Sequence, residues 1–167
     1  MLSNGNSMKW IETTGGPFVL VALDDVPLWT GHRGDYQRAC EMDGATGLVG
    51  FGDPEHQRTA LVLWDEPLRT AYLPEHQAFV QWLYADSEDE LIQMVNSHIS
   101  SVAWEDGPSI DVRDTAILFD ASIPGTELAS GDSLEIQLGR GVYRVRTADI
   151  EPGERQAARV HQLILNK

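Results

Sequence analysis

Ala78-Phe79-Val80-Gln81-Trp82-Leu83-Tyr84 runs through Ala85-Asp86 into Ser87-Glu88-Asp89-Glu90-Leu91. The first seven residues are mostly aromatic, branched or large apolar types, which suit a pleated, half-buried surface, so a strand is expected over 78–84. Within three residues the signal changes. Ser87 with Glu90 three positions later matches a capping box. Ser87 is placed to accept from the Glu90 amide while Glu90 reaches back, so two amides that a first helical turn leaves unpaired find partners. Glu88, Asp89 and Glu90 also crowd the positive end of the helix dipole. Beyond them Leu91, Val95, Ile99 and Val102 recur at helical spacing, with Ile92 beside them. One stripe therefore packs on a sheet and the rest faces water, and the helix is predicted over 88–101.

On both sides of this helix the signal is β. Upstream, strands are expected over 9–13, 17–23, 59–64 and 69–73. The continuous apolar run Pro17-Phe18-Val19-Leu20-Val21 points to a strand buried on both faces. The four glycines between Gly44 and Gly52 suggest a strand with a bulge or a close backbone approach. Residues 24–31 read as a connection or a single helical turn. Residues 35–42 read as a short helix with Tyr36, Ala39 and Cys40 on its inner face. Downstream, strands are expected over 115–120, 134–138, 142–146 and 158–165. Leu134, Ile136 and Leu138 alternate with polar residues, and Gly139-Arg140-Gly141 is expected to close a hairpin into 142–146. There Tyr143 and Val145 point one way and Arg144 and Arg146 the other. The fold class is α+β: a mostly antiparallel sheet with one main amphipathic helix between two β-rich halves, because short turn-rich links cannot make parallel crossovers.

The chain has 167 residues, which fits one domain. Residues 1–8 read as a flexible polar tail and 9–167 as a single domain. Twelve bases against 26 acids give a net charge of −14. That balance opposes binding to nucleic acid or to an anionic membrane, both of which need cations. The charge is uneven: residues 85–138 hold 12 acids and one base, Arg113, whereas 139–167 hold three acids and six bases. An anionic face is expected around the helix. The single cysteine, Cys40, excludes an internal disulfide and a cysteine-based zinc cluster. No apolar run nears the ~20 residues of a membrane helix, and the N-terminus lacks an apolar signal core, so the chain is expected in the cytoplasm.

The chemistry-bearing residues form no catalytic pattern. No two of the five histidines flank a glutamate at helical zinc spacing, and there is no Gly-x-Ser-x-Gly elbow. His98 is expected to face solvent and His161 to be a satisfied core or edge residue. The acid pairs Asp24-Asp25, Asp65-Glu66 and Glu105-Asp106 sit at strand ends beside Pro or Gly, as solvated turn acids do. No enzyme activity, cofactor or metal is expected.

Scattered residues carry a resemblance over most of 9–165. Trp10-Ile11-Glu12 precedes Gly15-Gly16-Pro17-Phe18. Trp29-x-Gly31 is followed by Tyr36-x-Arg38-Ala39-Cys40, then Leu63-x-Asp65-Glu66-Pro67 and Phe79-Val80-x-Trp82 running into Ala85-Asp86-Ser87-Glu88. Leu118-Phe119-Asp120-Ala121 and Gly141-x-Tyr143-x-Val145 continue the pattern. In these the sequence resembles the immunity protein 21 family of bacterial polymorphic toxin systems. The resemblance implies a small cytoplasmic inhibitor that binds a cognate toxin encoded beside it. The matched residues define a fold and name no interface. Charge supplies a candidate surface, since an acidic face would steer and hold a basic toxin such as a nuclease. Its residues are Asp86, Glu88, Asp89, Glu105, Asp106, Asp111 and Asp114, with Trp104 as aromatic anchor. The other reading of these residues, a core Trp104 and merely solvated acids, stays open. So do the oligomeric state and an alternative function, a small-molecule-binding or enzymatic α+β domain with a cleft near Gly44–Gly52.

Overall fold

In strand β1 (Phe18–Ala22) every side chain from Phe18 to Val21 is buried, so this strand has cover on both faces. Its alternate residues belong to different cores. Phe18 and Leu20 pack inward and Val19 and Val21 outward. A computed structural model describing residues 8–64 and 68–166 shows what supplies the two covers.

The strands form two five-stranded antiparallel sheets packed face to face. The first runs β2 (Thr46–Phe51), β3 (Arg58–Leu63), β1, β7 (Thr115–Asp120), β8 (Ser133–Gln137). The second runs β4 (Thr70–Leu73), β5 (Ala78–Tyr84), β10 (Ala157–Leu165), β9 (Gly141–Ile150), β6 (Glu105–Val112). Phe18, Leu20, Leu61, Leu63 and Leu118 from one sheet meet Phe79, Tyr143, Val145 and Leu163 from the other. The outer face of the first sheet is covered by 3-10 turns at Leu23–Leu28 and Gly31–Arg33 and by α1 (Asp35–Cys40). Trp29 anchors that layer. It stands edge-on to Phe51 at 5.3 Å, and its Nε1 donates to the Ala121 carbonyl at 2.8 Å. The outer face of the second sheet is covered by α2 (Glu88–His98), whose Leu91, Met94 and Val95 sit on Val80, Ile150, Ala158 and Val160.

The expected α+β class and antiparallel pairing hold, as does the strand at 78–84, which matches β5 residue for residue. Ser87 accepts from the Glu90 amide at 3.2 Å as the capping box requires. Several expectations need correction. Segment 9–13 is no strand. Ile11 exchanges a single pair of hydrogen bonds with Thr70, both 2.9 Å. The helix ends at His98 rather than 101, with Ile99 capping it. The Gly-rich segment makes six consecutive pairs with β3 and no bulge. The other expectation, a close backbone approach, is met at Gly52, where a Cβ would lie 2.5 Å from the His56 carbonyl oxygen, and at Gly47 the Met42 side chain crosses the strand in space a Cβ would fill. Cys40 is half-buried rather than internal. Segment 65–67, including the Asp65-Glu66 pair, lies outside the described residues, as does 1–7 of the expected tail.

The largest correction concerns Gly139-Arg140-Gly141. It closes no hairpin. Among the described residues β8 pairs only with β7, and β9 pairs with β6 and β10 in the other sheet, so the turn carries the chain across the sandwich. Leu134, Ile136 and Leu138 already face the inner core from the first sheet and Tyr143 and Val145 face it from the second. Two runs that must bury the same core from opposite sides cannot be neighbours in one sheet. The Tyr143 hydroxyl donates to the Gly139 carbonyl at 2.7 Å and fastens the crossing. Likewise β6 went unread, because an acid-rich edge strand with one wet face lacks an apolar period.

A row of polar groups crosses the inner face of the second sheet. Thr147 Oγ1 meets His161 Nδ1 at 2.8 Å, and His161 Nε2 meets Gln81 Oε1 at 2.8 Å. Gln81 Nε2 donates to Thr70 Oγ1 at 3.3 Å, and Thr70 donates to the Leu68 carbonyl at 2.9 Å. Because Gln81 uses its amide nitrogen on Thr70, its oxygen faces His161. The His161 proton therefore lies on Nε2, and Nδ1 accepts from Thr147. His161 is thus a satisfied core histidine. Burial, with the Arg159 charge adding to it, pushes its pKa from 6.5 down to about 3. The folded protein holds this ring neutral while the unfolded chain protonates below 6.5. Its contribution is therefore complete above pH 6.5 and is lost as pH falls towards 3. Between pH 6 and 4 the wild type should lose about 1.4 kcal/mol per pH unit more than His161→Asn, read from urea unfolding. Equal slopes would mean that the ring is not neutral.

Candidate functional site

The expected toxin-binding residues fall into three groups. Asp86, Glu88 and Asp89 stand at the start of α2. Glu105 and Asp106 begin β6, with Trp104 just before it. Asp111 lies near the end of β6, with Asp114 just beyond it. α2 starts after β5, and β6 is three strands away at the sheet edge, about 14 Å at the usual ~4.8 Å spacing. The groups therefore do not form a single patch.

Asp86 and Asp89 are exposed, but Glu88 is half-buried and has a structural duty. Its carboxylate accepts from Trp10 Nε1 at 2.6 Å and from the Met8 amide at 3.4 Å. Trp10 in turn packs edge-on against Trp82 at 5.3 Å, and the Arg69 guanidinium lies against both rings. Glu88 therefore straps the N-terminal segment to α2.

Trp104 is neither core nor fully exposed. It is half-buried at the margin of the α2 layer, with the Arg146 guanidinium 4.3 Å from its ring centre. Arg146 also donates from Nε and Nη2 to Gln162 Oε1 at 2.9 and 2.7 Å. Beside it Arg144 Nε lies 3.5 Å from Asp106 Oδ1, close enough for an ion pair. That Nε is nevertheless buried and makes no hydrogen bond among the described residues. Partial burial first, and the Arg144 charge second, lower the Arg146 pKa from its ordinary value. Sequence reading assigned these two arginines no role, although their outward alternation with Tyr143 and Val145 was visible.

At the far end of β6 a cleft of about 440 Å³ opens between the sheets, with Leu48 and Ile110 in its walls. The buried Asp25 accepts from Arg58 Nε and Arg113 Nη2, both at 2.8 Å. Arg113, the one base in the acidic stretch, is thus spent on Asp25. Asp111 also lines this cleft, and Asp114 takes a positive φ of 112° while its carbonyl accepts from the Leu138 amide. The cleft does lie beside the glycine-rich segment. Its one buried acid is held by two guanidiniums, and no histidine is among its lining residues. Among the described residues no three His, Cys, Asp or Glu side chains converge as a metal site would need. None of the described helices is long and apolar enough to cross a membrane.

The family model described as immunity protein 21 matches residues 9–156. No curated protein and no solved structure matches the chain.

Glu88→Ala should release the Trp10 indole and cost about 1.5–3 kcal/mol, the value of one hydrogen bond to a charged group. A red-shifted tryptophan emission with a lower urea midpoint is the expected outcome. An unmoved midpoint would mean that the strap carries no stability.

Proposed function

The chain belongs to the immunity protein 21 family, and on that premise we propose that it is a cytoplasmic immunity protein that binds and neutralises a cognate toxin domain. The family match over 9–156 carries this reading. Its partner is the toxin encoded beside it. The protein acts by occupying that toxin, not by turnover, and needs no cofactor. We take residues 9–167 as the binding domain. A net charge of −14 sets it against nucleic acid and membrane surfaces and in favour of a basic partner, such as a nuclease that grips phosphates.

Within the acidic surface, Asp86, Asp89, Glu105, Asp106, Asp111 and Asp114 are exposed and available to a partner. Rim charges of this kind raise the association rate more than they hold the complex together. Glu88 is set apart from them by its bonds to Trp10 and Met8.

Co-expression with the neighbouring toxin should restore growth of a host that the toxin alone arrests, and failure to restore it would sink the immunity role. The charge argument has its own test. Asp86→Lys, Asp89→Lys and Glu105→Lys together should slow association with the toxin about tenfold and flatten its salt dependence, by stopped-flow fluorescence. An unchanged rate would place the acidic contact elsewhere.

A further inference from the structure

Among the described residues, α2 covers only part of the outer face of the second sheet. It lies on Val80, Ala148, Ile150, Ala158 and Val160. The outward positions of β9 then continue through Arg146, Arg144 and Val142, and those of β10 through Gln162 and Ile164. Val142 is 45% exposed. On this bare part, Arg144 and Arg146 are outward neighbours two residues apart, roughly 7 Å along the strand.

Like charges so placed repel each other, and the fold relieves them little. Asp106 is opposite Arg146 across the β6–β9 ladder and pairs with Arg144 only at 3.5 Å. The other outward residue opposite Arg144 is Ser109, and Asp111 is opposite the apolar Val142. Arg144 Nε faces the Asp106 carboxylate at 3.5 Å without a hydrogen bond among the described residues, and the Arg144 side chain is 41% exposed, so the outer part of its guanidinium stays open to an incoming anionic oxygen. Trp104 and Gln162 hold Arg146 flat against the sheet, so its remaining N–H groups are aimed before any partner arrives. Arginine and tryptophan beside exposed aliphatic groups are the composition of an interface centre.

We propose that this bare part of the face, with Arg144 and Arg146 at its centre, docks a carboxylate-bearing segment of the toxin whose apolar flank rests on Val142 and Ile164. This rests on the immunity reading and deepens it. The exposed acids form the rim that steers a basic toxin, and the two arginines read an acid at the centre of the contact. A carboxylate suits the pair because it presents two oxygens to side-by-side guanidiniums. A polyanion is disfavoured by Asp106 and Asp111, which flank the pair on β6.

The test uses the full chain and a catalytically disabled form of the neighbouring toxin domain. Arg144→Glu, Arg144→Ala and Arg144→Lys are compared with wild type by calorimetry and surface binding, after circular dichroism and thermal melting confirm folding. Arg144→Glu should weaken toxin binding at least 30-fold, mainly through faster dissociation, with Arg144→Ala between it and Arg144→Lys. Asp89→Lys should instead change the association rate. Rescue of Arg144→Glu by an acid-to-lysine change in the toxin would support the contact. Folded Arg144→Glu and Arg144→Ala proteins that bind like wild type would overturn it while leaving the immunity reading intact. Absence of toxin binding by the wild type would overturn both. A single-stranded oligonucleotide that binds wild type and is lost in Arg144→Glu, with toxin affinity unmoved, would overturn it in favour of nucleic acid.

Discussion

The rest of the structure hangs on the burial of two sheets against each other through Phe18, Leu20, Leu61, Leu63 and Leu118 on one side and Phe79, Tyr143, Val145 and Leu163 on the other. Each sheet also has an apolar outer face, and burying one large side chain removes roughly 1.5–3 kcal/mol of exposure cost. Both outer faces therefore need a cover, and the chain supplies two of unequal size. The Leu23–Cys40 segment covers the first sheet, with Trp29 wedged under Ala121. The second sheet receives one eleven-residue helix, which is too short for five strands. The uncovered remainder is where the arginines stand. The interface proposed above is thus a consequence of how the layers are sized.

The same burial explains the polar row from Thr147 through His161 and Gln81 to Thr70. Three buried side chains, Thr70, Gln81 and His161, and the half-buried Thr147 satisfy one another across neighbouring strands, which fixes the strand register as well as the tautomer of His161. A slip of one residue in β10 would turn His161 outward and leave Gln81 and Thr147 unpaired. It also separates structural from available charge. Asp25 and Glu88 are tied to partners inside the molecule, whereas Asp86, Asp89 and Glu105 remain exposed.

Much of the fold was legible because it rests on local signals. The capping box at Ser87, the β-rich run 78–84, and the alternation in 134–138 and 142–146 each report a period or a cap that a short window contains. Met94 falls outside the stripe of Leu91, Val95, Ile99 and Val102, although it is three residues from Leu91 and buried as well. β6 escaped because an edge strand with a wet face has a polar sequence. Of the proposed surface, the acids were visible as composition, and Trp104 as a lone aromatic among them. That Glu88 is a strap needed the position of Trp10, 78 residues away.

By itself the sequence determined most of the strands, the main helix, the charge asymmetry and a family likeness, since each depends on neighbours along the chain or on residue types alone. Tertiary structure decided which strands are neighbours, and so sent the chain at Gly139-Arg140-Gly141 across the sandwich instead of back along it. It also decided that Arg144 and Arg146 lie beyond the reach of α2. Pairing and cover are set by which apolar faces can be buried together, and that is a property of the whole chain, not of any window within it.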